Sequence, residues 1–228
     1  MDFTFGIITG GGAENRIHRI IDSIEEQNIP NYEVVIIGSC VLERKNTIIV
    51  SFDDSQKPGW ITRKKNLITK YASYENVIYM HDYFELQPGW YEGQLKSGND
   101  YAIRMDRVLN PDGSRYRDWV LWCHNGGELD NILGKNTLIP YDLTHLSRYM
   151  YISGSYWIAK KQVMEDVPLN ENVLQNEGED VEWSMRAREK YEFNMNPHSA
   201  VKSLKEWRHP VFYEPTPKQV EMLRNYYV

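Results

Sequence analysis

Cysteine is scarce in this sequence. Only Cys40 and Cys123 occur among 228 residues. They lie far apart and outside any CxxC or Cys/His cluster, which argues against both a disulfide framework and a structural zinc site. Positive charge is also short: 26 Lys and Arg stand against 32 Asp and Glu, a formal net charge of -6. No overall field therefore draws nucleic acid or an anionic membrane surface. No apolar run is long enough to span a bilayer. Met1, Asp2 and Phe3 lead straight into a strand pattern, without the basic segment and apolar stretch of a signal peptide. These absences predict a soluble protein of the reducing cytoplasm, with no integral membrane segment and no nucleic-acid partner. What the chain has in plenty is aromatic side chains, 13% of residues with seven Trp and 16 Tyr. Several lie beside polar or Gly-rich segments, where amphipathic rings suit stacking on sugar faces, although any one ring is more often core.

The length and the 41% hydrophobic content suit one domain over residues 1–228, with a first half of about 1–100 and a second of about 101–228. The first half alternates strand and helix patterns. Phe3 to Thr9 is β-rich and ends at Gly10, Gly11 and Gly12, after which Ile17, Ile20, Ile21 and Ile24 recur at helical spacing. Glu33 to Ile37 reads as a buried strand closed by Gly38 and Ser39. Thr47 to Ser51 reads as another strand, Ile61 to Ser73 as a helix with Leu67, Ile68 and Tyr71 on one face, and Val77 to Met80 as a buried strand. This alternation predicts an α/β fold with a mainly parallel sheet flanked by helices. In the second half, Tyr101 to Met105, Tyr151 to Ala159 and Tyr191 to Met195 are strand-like. Glu179 to Lys190 reads as a helix, and Thr216-Pro217 starts a terminal one. From 115 to 148 no period is sustained, which predicts a long functional stretch of irregular chain.

In open α/β sheets, ligands gather at strand ends, where loops present backbone N–H groups and helix N-termini to anions. Three loops of the first half qualify. Thr9 to Arg16 (TGGGAENR) could bring a nucleotide against the backbone, or could simply be a tight turn. Lys57 to Asn66 (KPGWITRKKN) sets Arg63, Lys64 and Lys65 at a helix start, where cations oppose the dipole and suit a waiting anion such as a diphosphate, or else form a solvated face. His81-Asp82-Tyr83 follows a buried strand directly, so its imidazole and carboxylate could meet a divalent cation that bridges phosphates. In the second half, Gly178-Glu179-Asp180-Val181-Glu182-Trp183 sets two carboxylates at a helix start, where they could equally serve as dipole partners.

The order of these motifs resembles the GT-A fold glycosyltransferases, in particular family 2-like enzymes. It is carried by SIEEQNIPNYEVVIIGS at 23–39, the Lys-Lys-Asn segment, MHDYFELQPGW at 80–90, GSYWIAKK at 154–161 and PLNENVLQNEGEDVEWSMR at 168–186. The resemblance spans residues 3 to 200. It implies a Rossmann-like GT-A domain and a metal-dependent, inverting glycosyltransferase that moves sugar from a UDP-, GDP- or dTDP-linked donor to a hydroxyl of a glycan or other acceptor. Asp180 would be the base, with Glu179 beside it. Thr9, Gly10, Gly11, Arg16, Ser39, Arg63, Lys65, Asn66, His81 and Asp82 would meet the nucleotide sugar. Mn2+ or Mg2+ would sit on Asp82, His81 and a later histidine, His198 first and His209 second. The segment Asp106 to Asp118 (DRVLNPDGSRYRD), with Trp119, Trp122, Tyr156 and Trp157, would line the acceptor side. Two positions depart from the pattern: Tyr83 stands where relatives carry a metal-binding Asp, and Gly38 where they often carry an Asp near the nucleotide base. Two other readings stand beside transfer. A nucleotidyltransferase of related fold would release pyrophosphate, and a non-catalytic carbohydrate-binding module would bind glycan without metal.

Overall fold

The computed structural model of the protein describes residues 1–123, 127–206 and 212–226. Its first elements are β1 (Phe3–Ile8), α1 (Glu14–Glu25), β2 (Tyr32–Ile37), β3 (Thr47–Val50), α2 (Ile61–Tyr71) and β4 (Asn76–His81). Next come β5 (Phe84–Leu86), α3 (Trp90–Ser97), β6 (Ile103–Leu109), β7 (Val120–Leu121) and β8 (Thr137–Leu138). A 3-10 helix (Thr144–Tyr149), β9 (Met150–Tyr151), β10 (Tyr156–Lys160), α4 (Lys161–Asp166), α5 (Glu179–Ala187), β11 (Phe193–Ser203) and α6 (Pro217–Arg224) complete the order. Among the described residues, no helix is long and apolar enough to cross a membrane.

Eight strands form one sheet in the order β3-β2-β1-β4-β10-β6-β11-β5. β3, β2, β1 and β4 run parallel, β10 is antiparallel to both β4 and β6, and β5 is antiparallel to β11. The parallel half is the predicted alternation of strand and helix, and its α/β class is as expected. The period-2 alternation of β1 sends Phe3, Phe5 and Ile7 to the face that α1 covers with Ile17, Ile20, Ile21 and Ile24. Gly6 points to the other face, where Ile68 of α2 fills its missing side chain so closely that an added Cβ would lie 2.2 Å from Ile68 Cγ2. The buried side of α2 is Ile61, Lys64, Lys65 and Ile68, while Tyr71 is 40% exposed. The helical face therefore differs from the one expected through Leu67, Ile68 and Tyr71.

The second half departs further from its pattern. The irregular 115–148 stretch contributes β7 and β8, which join β9 in a small antiparallel sheet of order β8-β7-β9. β11 runs on to Ser203, with a register shift between Asn196 and Ala200 against β6. At Thr216, the side chain accepts from the Gln219 N–H and Pro217 takes the first turn, the start signal read in the sequence.

Candidate functional site

Strand register brings the first residues of the site together. β1 and β4 are parallel neighbours with Ile8 opposite His81, so Thr9 and Asp82 leave the sheet side by side. The Thr9 hydroxyl donates to Asp82 Oδ2 at 2.7 Å, and Arg16 of α1 reaches Asp82 with its Nε 3.1 Å from the carbonyl and Nη2 3.7 Å from Oδ1. β2 ends against the same spot. Gly38 has φ +141, and a Cβ there would stand 2.1 Å from the Thr9 carbonyl oxygen, so any side chain at this position would collide with the backbone.

β10 closes the other side. The His81 N–H donates to Ser155 O at 3.1 Å, which sets Gly154 beside the strand end. The Gly154 N–H donates to Asp180 Oδ2 at 3.0 Å, and Arg117 Nη2 donates to the same oxygen at 3.2 Å. Asp180 Oδ1 accepts from the Val181 N–H at 2.9 Å. Beneath them lies Lys65, 1% exposed, whose Nζ donates to Gly154 O at 2.7 Å and stands 3.7 Å from Glu179 Oε1. Burial pushes the Glu179 carboxyl up, opposed by Lys65, and burial pushes Lys65 down, opposed by Glu179 and Asp180. His81 is held well below the usual imidazole range, first by burial and then by the charges of Lys65, Lys205 and Lys64. It is therefore a neutral ring at neutral pH.

Most of these residues line two adjoining chambers, although Gly11, Arg16 and Lys65 line neither. One, of about 330 Å³, is bounded by Thr9, Gly10, Asp54, Lys64, His81 and Asp82. The other, of about 530 Å³, is bounded among others by Tyr83, Arg117, Tyr151, Glu179, Asp180 and Lys205. Ile61, His81 and Gln175 belong to both. Asp82 and Asp180, remote in sequence, thus open onto one cleft from its two ends, at the carboxyl edge of the parallel strands.

Several expected residues stand elsewhere. Arg63 pairs with Glu171 at 3.1 Å, and Asn66 bonds Leu169 and Glu171. Both clasp the loop that leads to Gln175 and Asp180, away from the cleft. Ser39 borders Gly11 but does not line either chamber. Asp106, Trp119, Tyr156 and Trp157 are 0% exposed, so the acceptor side expected of them is corrected to core. Trp157 stacks on Tyr79 at 4.9 Å, and the Lys65 ammonium lies over the Trp157 ring, 4.8 Å from its centroid. Asp106 and Tyr156 belong to a buried polar network with Trp90, Gln94 and Asn196. The sequence reading omitted Asp54, Gln175, Tyr151 and Lys205; it had Arg117 only within the acceptor-side segment and Lys64 only among the helix-start cations. For Lys64 a signal existed: Ile61, Lys64, Lys65 and Ile68 fall at i, i+3, i+4 and i+7, the pattern of one helix face.

The metal expectation can be tested on donor chemistry. Asp82 offers one carboxylate, already engaged by the Thr9 hydroxyl and Arg16. His198 sits exposed in the irregular part of β11, its backbone against Gly93 of α3, and is absent from both chamber walls. His209 lies outside the described residues. No group of three or more His, Cys, Asp or Glu able to hold a metal occurs among the described residues. Asp54, the other carboxylate on the wall of the smaller chamber, is paired with Lys64 at 2.7 Å, and two carboxylates already held by cations with one imidazole beneath lysine charges do not fit a protein-held divalent ion.

No protein-family model and no curated protein matches the sequence. Solved structures share its fold. The S. aureus TarS 1-349 structure in complex with UDP-GlcNAc superposes on 98% of this chain with a TM-score of 0.58 at 13% identity, covering 64% of that chain. GalNAc-T7, solved with UDP, GalNAc and Mn2+, superposes on 98% with a TM-score of 0.62 at 12% identity, covering 48% of that chain. The fold is the GT-A glycosyltransferase fold. At these identities the likeness concerns architecture, and the chain spans less than two thirds of the length of either structure. In GT-A terms, the cleft described above opens at the strand ends of the β1–β4 half and is closed by β10 and α5.

Proposed function

We propose that the protein is a glycosyltransferase that moves a sugar from a nucleoside-diphosphate donor to a hydroxyl acceptor. The observation that carries this reading is the joined cleft, with Asp82 at one end and Asp180 at the other around shared His81. UDP or a UDP-sugar occupies the TarS complexes, and UDP with GalNAc the GalNAc-T7 one, which supports UDP as the first donor nucleotide to test, before GDP and dTDP. The nucleotide occupies the smaller chamber against Thr9, Gly10, Asp54 and Lys64, and the sugar extends past His81. The acceptor, a glycan or another hydroxyl compound, enters through the larger chamber.

As the sugar–phosphate bond breaks, negative charge collects on the diphosphate and positive charge on the sugar ring. Fixed donors aimed at the diphosphate favour that state, and a nucleoside diphosphate leaves without being protonated. One base then suffices, unlike the carboxylate pair of glycosidases. Asp180 has the geometry for it. The Gly154 N–H, the Val181 N–H and Arg117 orient its carboxylate in the larger chamber, while Glu179 turns to Lys65. Asp180 takes the acceptor proton as the acceptor oxygen attacks opposite the diphosphate, so the anomeric configuration inverts. The test is Asp180→Asn: turnover should fall by roughly two to four decades while donor binding, read by calorimetry, stays within about twofold. Wild-type turnover in that variant would overturn the assignment.

A further inference from the structure

The resemblance that implies a metal also marks where this chain departs from it, and the side chains at that point are of opposite charge to metal ligands. Tyr83 follows Asp82 directly, and the ammonium of Lys205 lies 3.9 Å over its ring. Burial pushes the Tyr83 hydroxyl up, so it stays a neutral phenol that supplies no charged oxygen. Lys205 lines the larger chamber with His81, and Lys64, which donates to Thr9 O and pairs with Asp54 at 2.7 Å, lines the smaller one. Arg16 stands against Asp82 from α1. His81, at the joint of the two chambers, feels positive charge from Lys65, Lys205 and Lys64. The carboxylates on these walls, Asp54, Asp82, Glu179 and Asp180, each already face a cation, Lys64, Arg16, Lys65 and Arg117 respectively, so a dication entering here would compete with fixed positive charge at every one, whereas a diphosphate would meet the ammonium groups of Lys64 and Lys205 on its two flanks.

We propose that the donor's diphosphate is held by fixed side-chain cations, Lys205 on the Tyr83 ring with Arg16 and Lys64, and that nucleotide binding by this protein needs no divalent ion. The inference rests on the glycosyltransferase reading and assigns its leaving-group stabilisation to Lys205, a compact point charge suited to phosphate oxygens. The cation–π seat on Tyr83 keeps that ammonium on the cleft wall instead of letting its flexible stem range through solvent.

Calorimetric titration of the wild-type protein with UDP, GDP and dTDP, once in EDTA and once in Mn2+, tests the idea without any need for turnover. At least one diphosphate should bind with a Kd that agrees within about threefold between the two buffers, since no step of binding uses the ion. Lys205→Met should weaken that diphosphate by about 10- to 100-fold, the worth of one charge-assisted bond, and Lys205→Arg should retain it. The matching nucleoside, which lacks phosphates, should bind both variants as it binds wild type. Should Lys205→Met misfold, Arg16→Met, a half-exposed change, should show the same selective loss. Binding that vanishes in EDTA and returns with Mn2+ overturns this inference and leaves the glycosyltransferase reading in place. Failure of all three diphosphates to bind in either buffer overturns both.

Discussion

Replacing Asp106 by Asn should cost this protein more than most single substitutions, although it changes one atom. The carboxylate is 0% exposed. Its Oδ1 accepts from Gln94 Nε2 at 2.9 Å and Asn196 Nδ2 at 2.8 Å. Oδ2 accepts from Trp90 Nε1 at 2.9 Å, Gln94 Nε2 at 2.8 Å and the Tyr156 hydroxyl at 2.6 Å. Neither amide partner can turn its oxygen to a new neighbour, because Arg104 Nη1 donates to Gln94 Oε1 and the Ser97 hydroxyl to Asn196 Oδ1. The indole N–H cannot accept at all, so only the Tyr156 hydroxyl could receive a proton. An Asn side chain therefore sets its NH2 against two fixed donors whichever way it lies. Losing a buried charge-assisted set costs about 3–5 kcal/mol, which at roughly 2–4 °C per kcal/mol for a domain of this size lowers the melting temperature by about 6–20 °C. Differential scanning calorimetry at neutral pH measures it. Burial raises the Asp106 carboxyl above its ordinary value, opposed by bonds from Tyr156, Gln94, Asn196 and Trp90 that favour the ionised form. A melting temperature within about 2 °C of wild type would mean that burial wins, that the native carboxyl is already protonated, and that the donor argument fails.

Two further outcomes probe the cleft. A Cβ at residue 154 would lie 2.9 Å from Glu179 Oε1 and 3.1 Å from Asp180 Oδ2, so Gly154→Ala displaces the proposed base. Turnover should fall about a hundredfold, as for misplacement by an ångström, with the circular dichroism spectrum unchanged; undiminished turnover would separate Asp180 from the chemistry. For Glu179, burial raises the native pKa above the ordinary 4.5, so the native state keeps this proton to higher pH than the unfolded chain. That contribution is complete below about pH 4.5 and is lost as pH rises through the native value. Glu179→Gln has no such titration, so its urea midpoint should gain on wild type as pH goes from 4.5 to 7. A constant difference across that range would show that Lys65 outweighs burial.

The parallel half of the sheet was legible because its signals are local. The isoleucines of α1 recur at helical spacing and β2 is a continuous apolar run, and each element so predicted ends within a residue or two of its observed bounds. Less was legible where partners are distant. The insertion of β10 between β4 and β6 depends on pairing across many residues, for which Tyr151 to Ala159 carries no mark beyond its apolarity. The aromatic residues show the same limit. Trp119, Tyr156 and Trp157 were expected on the acceptor side from the family resemblance and their aromatic and polar mixture, yet each is buried in the interior. Sequence proximity to a cleft does not set which way a ring points.

What the sequence alone determined is the α/β class, the strand-end loops at Thr9 and His81-Asp82, and the helix start that bears Glu179 and Asp180. These follow from period, glycine punctuation and capping, all properties of residues close in the chain. The tertiary structure decided which charges meet. It set Lys64 and Lys65 inward and Arg63 outward on one helix, laid Lys205 on Tyr83, sent His198 to a different surface, and aligned Asp82 with Asp180 across one cleft. Charge–charge and charge–ligand chemistry acts over a few ångströms of space. The register of β1 against β4 and the placement of β10 create those distances, and neither can be read from any one segment.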